Sequence, residues 1–239
     1  MTTTDWASLA RDLQSLLHLE AAPIAISWHD SAPEGVDAFG GERPEPTPDG
    51  RTGAVAASCV FWMHAPERTF STVEADHGNC SVGLMTHGWK TIDEVAGNSD
   101  VAALLDSGWV TMDVVPKIPT VSERPGAMVY GPLADTPVDP DVVFIRLNAK
   151  QMMVLSDAWP GLRVEGKPQC HILAIAKDEG EPAASVGCVL SRVRTGMRAE
   201  EMTCAIPASR LAEVVNRLRP TNDADSAVAR YAAEDAARF

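Results

Sequence analysis

Residues 58–83 read SCVFWMHAPERTFSTVEADHGNCSVG, and residues 169–192 follow the same plan in looser form, QCHILAIAKDEGEPAASVGCVLSR. Each block opens on a cysteine inside an apolar run, Cys59 or Cys170, and reaches an alanine six positions on, Ala65 or Ala176. A polar connection then leads to a second cysteine beside a Ser-Val-Gly tripeptide: Cys80-Ser-Val-Gly in the first block, Ser-Val-Gly-Cys188 in the second. Four of the five cysteines fall in these two blocks. A pattern that recurs within one chain points to a duplicated structural unit.

Working outward, a short apolar strand precedes each block, residues 23–28 before the first and 142–147 before the second. The reading is therefore an α/β fold, with α+β as the variant, built from two weakly related α/β halves packed as one compact unit. The first half, residues 1–121, carries Cys59 and Cys80; the second, residues 122–239, carries Cys170 and Cys188 and ends in helices. Local pattern supplies the other elements. Leu9, Leu13, Leu16 and Leu17 share one face of a helix over 5–19, closed by Ala22 and Pro23. Residues 31–53, with GERPEPTPDGRTG, read as a loop. Residues 54–65 read as a buried helix stopped by Pro66, and SVGLMTHG as a short helix after Cys80. Residues 67–79 read as a polar connection and 91–106 as one helix. Pro116 and Pro119 make 109–121 an interrupted or edge strand. Strands over 128–133 and 202–206 and helices over 149–159, 208–218 and 223–237 complete the order.

The chain has 239 residues and a formal net charge of −13, from 33 acidic and 20 basic side chains. At that length a core forms without disulfide or metal staples. The acidic balance repels phosphate backbones and argues against a nucleic-acid partner. No apolar run has the length of a membrane span, so no membrane partner is expected. The opening MTTTDWASLARDLQSLL lacks a basic segment followed by an apolar one, and the expectation is a cytoplasmic protein. In that compartment persistent disulfides are rare, and clustered cysteines more often mean metal or catalysis.

Thiolates are preferred ligands of iron–sulfur clusters and of structural zinc, and four of them complete either site. Cys59, Cys80, Cys170 and Cys188 are thus candidate ligands, two from each half, at the interface between the halves. Their separations of 21 and 18 residues are not the close pairs of zinc ribbons or ferredoxins. The same thiols therefore also read as buried small hydrophobes or disulfide pairs. The lack of close pairs favours a cluster of the 4Fe-4S type, with zinc as the alternative. Cys204, outside both blocks, reads as core.

His64, His77 and His171 lie near the cysteines in sequence. They are extra ligands, partners of a nucleophilic thiol, or ordinary core and surface residues. Arg192, just after Cys188, is a candidate for holding an anionic group, while Arg194 reads as a surface ion pair. Gly83 and Gly187 permit close backbone approach to a cofactor. Trp62 and Met63 either wall a cofactor pocket or pack in the core. Nucleotide-binding loops of the GxxxxGKS/T and GxGxxG types are missing, as is a GxSxG nucleophile elbow.

In these blocks the chain resembles the archaeal cysteine-rich (ArCR) family of uncharacterised proteins, whose domain has no assigned function. The resemblance runs over most of the chain. It takes in the opening helix with the strand AAPIAISW, the apolar run at Cys59, NCSVG around Cys80, and PDVVFIRLNAKQMMVL. It continues through Cys170 and SVGCVLSR, with Cys188 and Arg192, to the close at Ile206-Pro207. Leu19-Glu20 stands where the family pattern has Gly-Leu. The resemblance implies that the four cysteines belong to a recurring pattern and so favours metal or cluster binding; it supplies no reaction. The functional expectation is a cytoplasmic iron–sulfur protein with redox or cluster-assisted chemistry on a small molecule, as an oxidoreductase or lyase. The alternatives are a small-molecule-binding protein with structural zinc or no metal, and a thiol enzyme using a Cys–His pair. Expected partners are a small-molecule substrate or a redox partner protein, and the weak internal symmetry is compatible with a homodimer.

Overall fold

The computed structural model describes residues 4–40 and 58–238. The parts of the expected loop and buried helix that fall in 41–57 lie outside the described residues. In chain order the elements are α1 (Trp6–Leu17), β1 (Ile24–His29), α2 (Ser58–His64), β2 (Phe70–Thr72), α3 (Ser81–Thr86), α4 (Ile92–Val95) and α5 (Ser99–Asp106). They continue with β3 (Ala127–Pro132), β4 (Val142–Leu147), α6 (Ala149–Ala158), β5 (Arg163–Glu165) and α7 (His171–Ala174). The chain closes with β6 (Ala183–Ser185), α8 (Val189–Thr195), β7 (Met202–Pro207) and α9 (Leu211–Asp235).

The strands make one mixed sheet in the order β2-β3-β1-β4-β7-β6-β5. Every neighbouring pair is antiparallel except β5 and β6. The fold is α/β. Its centre is the β1–β4 pair, with Ala25 opposite Val143. Outward from that pair the two sides match: β3 and then β2 flank β1, while β7 and then β6 flank β4. Each cysteine block supplies a helix, the outer strand and a second helix: α2-β2-α3 on one side, α7-β6-α8 on the other. β3 follows residue 121 in sequence, yet it pairs with β1 and β2 of the first half.

β4 shows why this pair is central. Its sequence VVFIRL is rich in β-branched and aromatic residues and is buried on both faces. Successive side chains point to opposite faces of a strand. Val143, Ile145 and Leu147 join the core under α1, α6 and α9. Val142 and Phe144 join the core under α2, α3 and α7. The result is a sheet between two helical layers, with all four block cysteines associated with the second layer. Asn148 ends β4 and starts α6 at once, because its side chain accepts from the Gln151 backbone N–H at 3.0 Å while Gln151 Oε1 accepts from the Asn148 N–H at 2.7 Å.

Several expectations need correction. Residues 109–121 form turns and a short 3-10 segment at Val115–Lys117 instead of a strand. Pro116 and Pro119 remove two of the N–H donors that a ladder needs. The helix over 91–106 is two helices, because Gly97 interrupts it and Asn98 stands at the start of the second. Conversely, 208–218 and 223–237 join into the single helix α9, which runs through Pro220. Its first turns are anchored by buried Leu211, Val214, Val215 and Leu218. The carbonyl that loses its helical donor to Pro220 belongs to Asn216, an exposed residue. Strands β2, β5 and β6, each of three residues, are too short to carry a period-2 signal. No described helix is long and apolar enough to cross a membrane.

Candidate functional site: four thiols around one hollow

Three of the four block cysteines stand at the beginning of a helix, and the fourth lies within one. Cys59 lies in α2, and Cys80, Cys170 and Cys188 immediately precede α3, α7 and α8. The last three act as caps through their backbones: their carbonyls accept from Leu84 N, Leu173 N and Arg192 N at 2.9, 3.2 and 3.1 Å. α2 packs on α8 and α3 packs on α7, which crosses the two halves. Every cysteine is a free thiol, so the disulfide alternative is not realised.

These packings bring Cys59, Cys80, Cys170 and Cys188 to the wall of one hollow, completed by Trp62, Val82, Gly83, Pro168, Gln169, Leu190, Ser191 and Arg194. The gaps between these atoms total about 360 Å³, and the part roomy enough for water about 30 Å³. Among the described residues no group of three or more His, Cys, Asp or Glu side chains is placed to hold a single metal ion. Among the described residues, two polar atoms of the wall are orphaned: Trp62 Nε1 and Gln169 Oε1 are buried without a hydrogen-bond partner.

Burial dominates the electrostatics. It pushes the Cys59 thiol up to about 12, helped by Cys80 and opposed by hydrogen bonding to Ser191 and by the Arg194 charge. Burial and then Cys80 hold Cys170 well above the ordinary thiol range, with Thr86 pulling the other way. Cys80 is raised by burial, with the Gly83 backbone N–H and Arg194 offsetting part of it. Thiols that are desolvated together and repel one another's ionised forms stay protonated at neutral pH and are weak nucleophiles. A cationic group reverses this balance, because it displaces the protons and pairs with the thiolates.

The histidines are elsewhere. His77 is buried in an aromatic nest, with Nε2 2.8 Å from Thr72 Oγ1 and its ring against Phe61 and Trp89. Burial and then His87 hold it well below the usual imidazole range. His64 is exposed with its ring on Phe39, and His171 Nε2 lies 3.6 Å from Glu165. None of the three lines the hollow. Met63 does not line it either, whereas Trp62 does.

The two arginines differ: Arg194 is exposed, as expected, yet reaches the hollow, and Arg192 does not. Arg194 lines the hollow. Arg192 turns back and donates from Nη2 to the carbonyls of Val186, Ala199 and Glu201 at 3.1, 3.1 and 2.7 Å. Gly83 is in the wall of the hollow, while Gly187 sits under the Arg192 guanidinium. Gly187 has φ +109°, and a Cβ there would stand 2.0 Å from Arg192 Nη1. Gly187→Ala therefore combines a disfavoured backbone with a clash just before Cys188. The expected loss is about 1–3 kcal/mol of unfolding free energy, read by urea denaturation; an unchanged midpoint would contradict the packing described.

Ser191, Gln169, Val82, Pro168 and Leu190 were not legible as wall residues. Ser191 had one available signal: it lies three residues after Cys188 at a helix start, and such positions share a face.

The structure thus shows an α/β fold with four free thiols lining one hollow beside the sheet. The chain belongs to the DUF169 family, described as Uncharacterised ArCR, whose model matches residues 12–217. No curated protein and no solved structure matches it.

Proposed function

We propose that the chain carries an iron–sulfur cluster of the 4Fe-4S type on Cys59, Cys80, Cys170 and Cys188 and uses it for redox or cluster-assisted chemistry on a small molecule. The observation that carries this reading is the convergence of four free thiols, two from each half, on one hollow. A single zinc ion needs its sulfurs at about 2.3 Å from one point, and no described donor set is gathered that tightly. A cluster is a larger body whose thiolate ligands stand wider apart. It is also larger than the water-sized space in the hollow, so its assembly widens the wall.

When bound, such a cluster supplies electron transfer or, with one iron left open, a Lewis acid. The residues of this chain do the rest. The cysteines ligate. The orphaned Trp62 Nε1–H is a donor suited to a sulfur acceptor, and Arg194 offsets the negative charge of the thiolates. Val82, Pro168 and Leu190 limit water, which together with hydrogen bonding tunes a cluster's potential. The raised thiols of Cys59, Cys80 and Cys170 and the distant histidines speak against the Cys–His enzyme. A cytoplasmic setting, reducing enough to keep every cysteine free, accords with the reading.

Anaerobic purification tests it. The expected protein is brown, with iron and acid-labile sulfide in equal amounts and a broad visible absorption that bleaches with dithionite. Colourless protein with neither iron nor sulfide overturns the reading, and colourless protein with one zinc per chain moves it to the structural-zinc alternative.

A further inference from the structure

Beside the thiol hollow lies a second cavity of about 270 Å³, lined by polar and apolar surface in equal share where the first is nearly all apolar. Leu190 and Arg194 line both, so the two are separated by the thickness of one side chain. The Arg194 guanidinium gives one N–H to the Asn79 carbonyl at 3.2 Å and forms no ion pair among the described residues. That is notable in a chain with 33 acidic side chains. Asp100 shares the wall but is already engaged, accepting from Ser81 N, Ser81 Oγ and Val101 N at 2.9, 2.7 and 3.0 Å. Across the same space, Ser99 Oγ is buried without a partner among the described residues. Asn98 also faces the cavity wall.

We propose that this cavity binds a small organic carboxylate carrying a hydroxyl or amine group, with the carboxylate on Arg194 and the second group on Ser99 and Asn98. A guanidinium matches a carboxylate with two parallel N–H bonds. The volume is at the lower end of ligand cavities, which restricts the ligand to a few heavy atoms. The fixed charge of Asp100 works against a dianion such as phosphate. The buried Ser99 hydroxyl needs a partner, so a ligand with a second polar group is preferred over a plain fatty acid. The assignment of this ligand as the substrate rests on the proposed cluster next door; its binding does not.

Isothermal titration of the intact, anaerobically prepared chain with lactate, glycerate, serine and inorganic phosphate tests the proposal. At least one carboxylate is expected to bind saturably. Arg194→Gln should weaken that binding by roughly tenfold or more. Ala103→Phe, at an exposed position of α5 that lines the cavity, should do the same by filling it without touching the thiols. Absence of saturable carboxylate binding, preference for phosphate, or equal binding by wild type and both variants overturns the proposal. Iron and sulfide are measured on each sample. Carboxylate binding by an iron-free chain leaves the cavity assignment standing and removes the cluster; a loaded cluster with no carboxylate binding removes only the cavity assignment.

Discussion

Serine in place of any one of Cys59, Cys80, Cys170 or Cys188 is expected to cut bound iron and sulfide to about a tenth of the wild-type content or less, since even outer partners of a metal site change affinity by 10–100-fold. Cys204→Ala is expected to keep the full content. The contrast follows from the sheet. Cys204 lies in β7 and is packed in the core under α1, α6 and α9, on the face away from the hollow. The other four line one cavity. Serine preserves shape but offers a hard oxygen in place of a soft thiolate, in a wall with little other polarity. The checks are iron and sulfide analysis and the visible spectrum of each variant prepared without air. Equal content in all five variants would show that the thiols only fill space.

Phe144→Ala should lower the unfolding free energy by about 3–5 kcal/mol with little change in the urea m-value. Phe144 is in the middle of the central strand, opposite Ile24 of β1 and Ala205 of β7. Its ring lies 4.5 Å from that of Trp62, whose helix α2 carries Cys59. Truncation opens a cavity where the sheet supports the site layer, and neighbours paired on both sides have little freedom to collapse into it. A loss below about 1 kcal/mol would mean that the wall relaxes freely and that α2 is not held by this contact. Because Trp62 also walls the hollow, iron retention at low denaturant should fall in the same variant.

How much of this was legible beforehand depended on whether a signal was local. Val142–Leu147 and Ile24–His29 are buried on both faces or nearly so, and such strands announce themselves as continuous apolar runs. The helices α1 and α6 carry their caps in sequence, at Asp5 and Asn148. By contrast β2, β5 and β6 exist only because a neighbour offers them a ladder. The continuity of α9 past Pro220 likewise depends on the packing of its first turns, which no local rule registers.

The sequence alone determined the α/β class, the paired cysteine blocks and the family, because repeated spacing and two-sided burial are written residue by residue. It did not determine that the thiols meet. Separations of 21 and 18 residues say nothing about convergence until β1 pairs with β4 and lays the two halves side by side. Nor did it decide between the arginines. Both follow Cys188 within six positions, but Arg192 is drawn to three backbone carbonyls and Arg194 is left facing the thiols and the second cavity. The reason is physical: a guanidinium goes where unpaired acceptors stand, and the positions of those acceptors are set by contacts between segments far apart in the chain.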